Sequence, residues 1–201
     1  KPVFQAYDDR VWMRDPFLNR VERDGKVTYH VVHTWGWDNP AIFHWQSDDL
    51  VNWVAADGGT TTDSGKIYVM DGKDGRPSSP NAWAPEFTYV PEEDMFYIYW
   101  SSRVDDRQLH YVTTTRDWKS FTVARPLFDP GFTAIDLTVV RKGDTFYGYY
   151  KDERNGEKTI LCATTRSLDP AVEQFSGTTR LLPDDYRVEV EGPSVFRKIG
   201  G

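Results

Sequence analysis

Residues 83–100 read WAPEFTYVPEEDMFYIYW, and this stretch shows the unit from which the chain is built. The dipeptide Ala84-Pro85 opens it, an apolar stretch follows, residues 91–94 form a polar turn, and an aromatic run ends at Trp100. Aromatic and β-branched runs separated by short polar turns are typical of antiparallel strands. Three further openings resemble this one: Asp15-Pro16-Phe17-Leu18, Ile135-Asp136-Leu137-Thr138 and Glu191-Gly192-Pro193-Ser194.

The repeat favours one class of all-β fold. Units that recur along a chain indicate a modular architecture, and short strands with regular turns fit a sandwich, a barrel or a propeller. A propeller is built from four-stranded blades around a channel, so equivalent units favour it over the other two. We therefore predict an all-β propeller fold, of which this chain carries about three blades plus the first strand of a fourth.

Acidic residues stand at the first or second position of three openings, at Asp15, Asp136 and Glu191, and Glu86 stands later in the remaining one. Equivalent places in a ring of blades converge on one axis, which makes these acids candidates for a single site despite their distance in sequence. Two carboxyl groups that flank a glycosidic bond suffice for its hydrolysis, and a third can raise the pKa of the one that must stay protonated. The alternative is that an Asp before Pro, or a Glu before Gly-Pro, only caps a turn.

The composition excludes several classes of partner. The 201-residue chain has a net charge of −7 and a pI near 5.1, which argues against nucleic acid and against an anionic membrane surface. No apolar run reaches the length of a membrane span. The four histidines lack ligand-like spacing, so we expect no metal and no cofactor. Cys162 is the single cysteine, and its apolar neighbours predict a buried, inert thiol.

Aromatic residues make up 15% of the chain, which suits stacking on flat ligand surfaces. Trp35, Trp37 and Trp83 are the candidates for substrate stacking, with core packing as the alternative. Glu86 is a candidate for contact with sugar hydroxyls, or else a buried structural acid. Residues 55–81 are rich in Gly, Asp, Thr and Ser, and form either a tolerated surface insertion or a loop that shapes one side of a pocket.

In these motifs the chain resembles glycoside hydrolase family 43, whose members are five-bladed propeller enzymes acting on arabinose- and xylose-containing polymers. The matching pieces follow the family's order over nearly the whole chain: Arg14-Asp15-Pro16, Ser47-Asp48-Asp49-Leu50-Val51-Asn52-Trp53, Trp83-Ala84-Pro85-Glu86, Ala134-Ile135-Asp136 and Glu191-Gly192-Pro193. The resemblance implies that Asp15 is the general base, Asp136 the residue that tunes and orients the acid, and Glu191 the general acid. It also implies inversion at the anomeric carbon.

Glu189 is a rival for the acid, because side chains on a strand repeat with period two and it would share a face with Glu191. The family pattern places Gly-Pro directly after the acid, and this assigns the role to Glu191.

The resemblance also sets expectations about completeness. It implies a fifth blade and most of a fourth, so we expect residues 1–201 to be a single catalytic propeller domain, incomplete at the C-terminus. Such a chain should be weakly active and prone to associate through its open edge, and its oligomeric state stays open. In the complete protein, a last-blade residue near the axis would be the place for a structural or axial metal ion.

Because the chain starts at Lys1 without Met, we expect a secreted or periplasmic protein that has lost a leader, with the cytoplasm as the alternative.

Together these features predict a glycosidase that cleaves arabinose- or xylose-containing poly- or oligosaccharides, of the α-L-arabinofuranosidase or β-xylosidase type. Two alternatives stay open. One is a non-catalytic carbohydrate-binding propeller, in which the acids only hydrogen-bond sugar. The other is a related propeller glycosidase that acts on galactans or fructans. Carbohydrate is the predicted partner in each case.

Overall fold

The computed structural model describes residues 13–56, 58–59, 64–155, 157–183 and 190–195. Within these ranges the chain folds into three antiparallel sheets of four strands each, and the one helical element is a 3₁₀ turn at Pro91–Glu93. The prediction of an all-β fold with about three blades is confirmed. Residues 190–195 belong to none of the three sheets, and the rival acid Glu189 lies outside the described residues.

Each sheet is a meander in which consecutive strands pair, so the first strand in sequence is an edge strand of its blade. Blade 1 consists of β1 (Met13–Arg23), β2 (Lys26–Trp35), β3 (Ala41–Ser47) and β4 (Lys66–Tyr68). Blade 2 consists of β5 (Trp83–Val90), β6 (Met95–Val104), β7 (Arg107–Thr115) and β8 (Arg125–Phe128). Blade 3 consists of β9 (Ala134–Lys142), β10 (Thr145–Asp152), β11 (Ile160–Thr165) and β12 (Ser176–Arg180). In the described part of the chain, no helix is long and apolar enough to cross a membrane.

The sequence repeat is visible in the backbone as a β-bulge near the start of each first strand. Two residues of that strand lie opposite one residue of the second strand: Asp15 and Pro16 opposite His33, Ala84 and Pro85 opposite Trp100, and Asp136 and Leu137 opposite Tyr150. The first bulge residue is left-handed each time, with φ of 48° at Asp15, 45° at Ala84 and 58° at Asp136. Bulges re-aim the side chains that follow them, so the three openings are equivalent in structure as well as in sequence.

Two hydrophobic clusters hold the blades together. Ile42, Phe87 and Trp100 belong to the cluster between blades 1 and 2. Tyr99 and Leu137 belong to the cluster between blades 2 and 3. Because neighbouring side chains on a strand point to opposite faces, Tyr99 and Trp100 of β6 pack into different clusters. Blade 2 is therefore buried on both faces, and each fully buried side chain of this size stabilises the fold by about 1.5–3 kcal/mol.

The motif at residues 47–53 builds a turn at the end of the blade opposite the openings, because β3 runs away from them. Asp49 accepts hydrogen bonds from the backbone N–H groups of Asn52 and Val51, at 2.7 and 2.8 Å, and these bonds hold its pKa below its usual range. Asp117 accepts equivalent bonds at the end of β7, from Lys119 and Ser120, each at 2.9 Å. Residues 47–53 therefore form a turn that recurs between blades, and this turn lies at the opposite end of the blade from the acids.

The described part of residues 55–81 borders a separate groove of about 720 Å³, which Tyr68, Asp74 and Arg76 help to line. The loop is held by an ion pair between Arg76 and Asp71, with Nε and Oδ1 2.6 Å apart. None of the described residues of this segment lines the cavity between the four openings.

Candidate active site

The four openings meet around one cavity of about 200 Å³. Twelve residues line it, and every opening contributes between two and four of them: Asp15, Pro16, Phe17, Ala84, Pro85, Glu86, Asp136, Leu137, Glu191, Gly192, Pro193 and Ser194. The meander explains the convergence, because every first strand starts at the same end of its blade. The three acids predicted from the sequence thus line one cavity, and so does Glu86.

The fourth opening joins the cavity with a different register. Its left-handed residue is Gly192, with φ of 59°, and like Asp15 and Ala84 it precedes a proline. Glu191 is therefore equivalent to Arg14, Trp83 and Ile135, one position before the bulge residues. The sequence comparison had treated Glu191 as the counterpart of Asp15 and Asp136, and the backbone corrects this by one residue.

Asp136 lies at the centre of the acidic group. It is half-buried, and its Oδ2 accepts a hydrogen bond from the backbone N–H of Gly192 at 3.1 Å. Burial raises the pKa of Asp136, and the charges of Asp15 and Glu191 raise it further. The Gly192 hydrogen bond and the Lys151 ammonium act in the opposite direction. The pKa of Asp136 therefore depends on the charges of both other acids, and its hydrogen bond with Gly192 fixes the backbone next to Glu191.

Lys151, from β10, holds the Glu191 carboxylate. Its Nζ lies 2.7 Å from Glu191 Oε2 and 2.5 Å from Glu153 Oε1. The Lys151 side chain is only 6% exposed, whereas that of Glu191 is 73% exposed. Residues 151–154 are all charged, so the local sequence gives little indication that Lys151 is buried against Glu191. The available signal was alternation along the strand. Lys151 lies two residues after the aromatic Tyr149, so both side chains belong to the same face of β10.

Glu86 stands in the second opening and faces Asp136 from β5. It is partly buried, and its Oε2 is enclosed with no hydrogen-bond partner among the described residues. Burial raises its pKa from the usual 4.5 to about 8, and the charge of Asp136 adds to the rise, while the hydroxyls of Thr138 and Tyr99 oppose it. Glu86 is therefore a neutral carboxylic acid at pH 7, which removes one negative charge from a crowded site.

The Glu86→Gln variant tests this assignment through stability. A carboxyl whose pKa is raised on folding binds its proton in the native state and loses it in the unfolded state between pH 4.5 and about 8. Wild-type stability should therefore fall as pH rises through this window, by an amount on the order of a few kcal/mol. The variant keeps the shape but cannot ionise, so its stability relative to wild type should grow across the window.

Urea unfolding at pH 5, 6.5 and 8 measures the difference. Glu92→Gln is the matched control, since Glu92 is exposed and its ion pair with Arg141 lowers its pKa. It titrates below the window, so its difference from wild type should stay constant. A constant difference for Glu86→Gln as well would show that Glu86 is ionised in the native protein.

The three candidate tryptophans lie beside the cavity or in blade 1, and none is among the residues that line it. Trp37 is 57% exposed, carries the Arg14 guanidinium 3.7 Å above its ring, and meets the edge of Trp83 at 5.7 Å between centroids. The indole N–H of Trp83 donates to the Trp37 carbonyl at 2.7 Å. Trp35 packs against Phe43 and lies under the Lys66 ammonium, 4.3 Å from its ring centroid. A stacking role for these rings stays a prediction, and Trp37 has the most accessible ring.

Metal ligation is a separate question for an acidic cavity. Among the residues that the structure describes, no group of three or more His, Cys, Asp or Glu side chains is arranged to hold a metal ion.

The fold and the site define a propeller domain of four-stranded blades, in which several openings bring carboxyl groups to one cavity. All 201 residues match a family model described as "Probable glycosyl hydrolase domain", which is related to glycoside hydrolase family 43. The chain belongs to this family, and the resemblance drawn from its motifs is confirmed.

Individual proteins are similar to the chain in sequence or in fold. An α-L-arabinofuranosidase of Bifidobacterium longum subsp. longum is 26% identical over 187 residues, which cover 78% of this chain and 16% of the relative. A family 117 glycoside hydrolase from Zobellia galactanivorans has a similar structure, with a TM-score of 0.61 at 14% identity over 88% of this chain and 57% of its own. An endo-arabinase from Bacteroides thetaiotaomicron gives a TM-score of 0.60 at 17% identity, over 85% of this chain and 56% of its own.

The two structural relatives share the fold with this chain at low identity. The chain spans a little over half of their length and about a sixth of the arabinofuranosidase.

Proposed function

We propose that this chain carries the acidic site of an inverting glycosidase that acts on arabinose- or xylose-containing oligo- or polysaccharides. The observation that supports it most is the meeting of Asp15, Asp136 and Glu191 around one cavity, although they come from three different openings. Hydrolysis with inversion needs a base on one face of the sugar and an acid on the other, with room for a water between them.

Asp15 has the properties of the base. It is exposed at the cavity, where a water molecule can reach its carboxylate. Its left-handed backbone is part of the bulge, so the direction of the side chain is set by the sheet rather than by a flexible loop. In the proposed reaction Asp15 takes a proton from this water as the oxygen attacks the anomeric carbon.

Glu191 is the proposed acid, which protonates the oxygen of the leaving group as the glycosidic bond breaks. Its carboxyl is exposed, so it can reach a substrate that enters from solvent. Asp136 supports it through the backbone, because its Oδ2 accepts a hydrogen bond from Gly192 N–H and so fixes the residue directly after Glu191.

The substrate proposal rests on the relatives. The similar curated protein is an α-L-arabinofuranosidase, and one structural relative is an endo-arabinase, so an arabinose-containing substrate is favoured over a xylose-containing one. Ala84 occupies the position that is Asp in the first and third openings, so this side of the cavity is lined by a small apolar side chain.

A panel of p-nitrophenyl glycosides tests the proposal on the full-length natural protein. The panel contains the α-L-arabinofuranoside, the β-D-xyloside and a β-D-galactoside, with a fructan oligomer assayed by released reducing sugar. We expect turnover of the arabinofuranoside first and the xyloside second. Proton NMR of the reaction in its first minutes should show the product anomer of opposite configuration.

The outcomes separate the alternatives. Turnover of the galactoside or fructan alone would replace the substrate class and keep the enzyme. Sugar binding by calorimetry without turnover of any compound would favour a non-catalytic carbohydrate-binding propeller. A product of retained configuration would contradict the roles of Asp15 and Glu191.

A further inference from the structure

One position recurs on the second strand of every blade, directly opposite the residue that precedes the bulge. It is Thr34 in blade 1, Ser101 in blade 2 and Lys151 in blade 3. In blades 1 and 2 this side chain links its blade to the next opening. Thr34 Oγ1 accepts a hydrogen bond from Ala84 N–H at 2.8 Å, and Ser101 Oγ accepts one from Asp136 N–H at 3.3 Å.

Blade 3 departs from this pattern at both ends of the link. Lys151 cannot accept a hydrogen bond, and it reaches past the backbone to the Glu191 carboxylate instead. The backbone N–H that a hydroxyl would have bound, that of Gly192, donates to Asp136 Oδ2. A repeated neutral contact between blades has thus become a charged contact between a buried lysine and an exposed acid.

Lys151 also has a second carboxylate partner, Glu153, which keeps its buried charge compensated. Glu153 is paired in turn with Lys158, so the charges alternate along the series Glu191, Lys151, Glu153 and Lys158. A buried cation that loses its only partner is strongly destabilised. Because Glu153 remains in place, Lys151 stays paired when Glu191 accepts a proton or turns towards a substrate.

We infer that Lys151 is a positioning residue for Glu191, and that its charge is shared with Glu153 so that Glu191 can be held and then released during turnover. This inference rests on the proposed role of Glu191 as the acid. The charged and titratable groups that face this part of the cavity come from several elements: Asp15 from β1, Glu86 from β5, Asp136 from β9, Lys151 from β10, and Glu153 and Lys158 behind it.

Two variants should move the same observable in opposite directions. In Lys151→Met the cation is lost, which favours the protonated form of Glu191. The alkaline limb of the pH profile of kcat/KM should therefore move to higher pH. In Glu153→Gln, Lys151 loses a competing carboxylate and binds Glu191 more strongly, so the limb should move to lower pH. Lys151→Met should also lower kcat by about 10- to 100-fold, because the acid is no longer held in place.

A measurement that needs no activity separates this inference from the proposed function. Carboxyl carbon NMR of protein labelled at Glu and Asp follows each titration directly, with Glu191→Gln used to assign the Glu191 signal. Relative to wild type, the Glu191 signal should titrate at higher pH in Lys151→Met and at lower pH in Glu153→Gln. Lys26→Met is the matched control, because Lys26 forms an exposed ion pair with Asp48 at the far end of blade 1.

The result is decisive in either direction. An unchanged Glu191 titration in both folded variants, or a shift of the same sign, would overturn the inference. If the titrations shift as expected but no glycoside is hydrolysed by any form of the protein, the pairing stands and the proposed function fails. If Lys151→Met does not fold, the Glu153→Gln titration decides alone, since it retains the buried lysine.

Discussion

Replacing Asp15 by asparagine is expected to lower kcat on an unactivated glycoside by roughly 10²–10⁴-fold, the range that a general base contributes. The amide has the shape of the carboxylate but cannot take a proton from water. The backbone should be unaffected, because Asn, like Asp, tolerates the left-handed φ of 48° found at this position. KM should therefore change little, and the loss should appear in kcat.

Asp24→Asn is the matched control for this variant. Asp24 is also left-handed, with φ of 52°, but it lies in the turn between β1 and β2, away from the cavity. It should retain wild-type rates.

A further variant, Asp15→Gly, removes the carboxylate at a φ that suits glycine and leaves room for azide. Azide should restore turnover of an aryl glycoside by attacking the anomeric carbon, with a glycosyl azide of inverted configuration as product. If Asp15→Asn lowered the rate by less than about threefold, the loss would lie far below the expected range, and Asp15 would be excluded as the base.

Replacing Glu191 by glutamine should have an effect that depends on the leaving group. A sugar leaving group needs a proton, so kcat on an oligosaccharide should fall by roughly 10²–10⁴-fold. Dinitrophenolate leaves without protonation, so the rate on a dinitrophenyl glycoside should stay within about tenfold of wild type. The variant retains a side-chain oxygen that can accept a hydrogen bond from Lys151 Nζ, which limits structural change at the cavity.

The comparison of the two substrates is what identifies an acid. A merely structural role would reduce both rates by the same factor. Glu22→Gln provides the control, since Glu22 is exposed, pairs with Arg20 on β1 and does not line the cavity. Equal losses on both substrates for Glu191→Gln would move the acid role to another carboxyl.

The pH dependence of activity and stability should reflect the same electrostatics. Burial raises the pKa values of both Asp136 and Glu86, and both lie at the cavity. Above their pKa values the cavity gains negative charges at close range. We therefore expect stability to decline as the pH rises from acidic values to about 8, with Glu86 responsible for the part that Glu86→Gln removes.

The sequence by itself determined the strands, the turns and the repeat. These depend on local properties: alternating aromatic and β-branched residues favour extended backbone, and Asp, Gly and Pro at regular places interrupt it. The convergence of Asp15 and Asp136 also follows from the sequence, because equivalent residues of equivalent units take equivalent places. The family was likewise recognisable, since its motifs survive as short fixed strings in a fixed order.

Only the tertiary structure decided what surrounds these residues. Glu191 looked equivalent to the two aspartates, but the left-handed residue of its opening is Gly192, and a one-residue shift changes the direction of a side chain. Lys151 belongs to a run of four charged residues, but its side chain is buried on β10 and binds a carboxylate forty residues away. Glu86 is neutral because packing excludes water from its oxygen. Burial and charge pairing between blades arise from contacts among residues distant in sequence, so no local pattern records them.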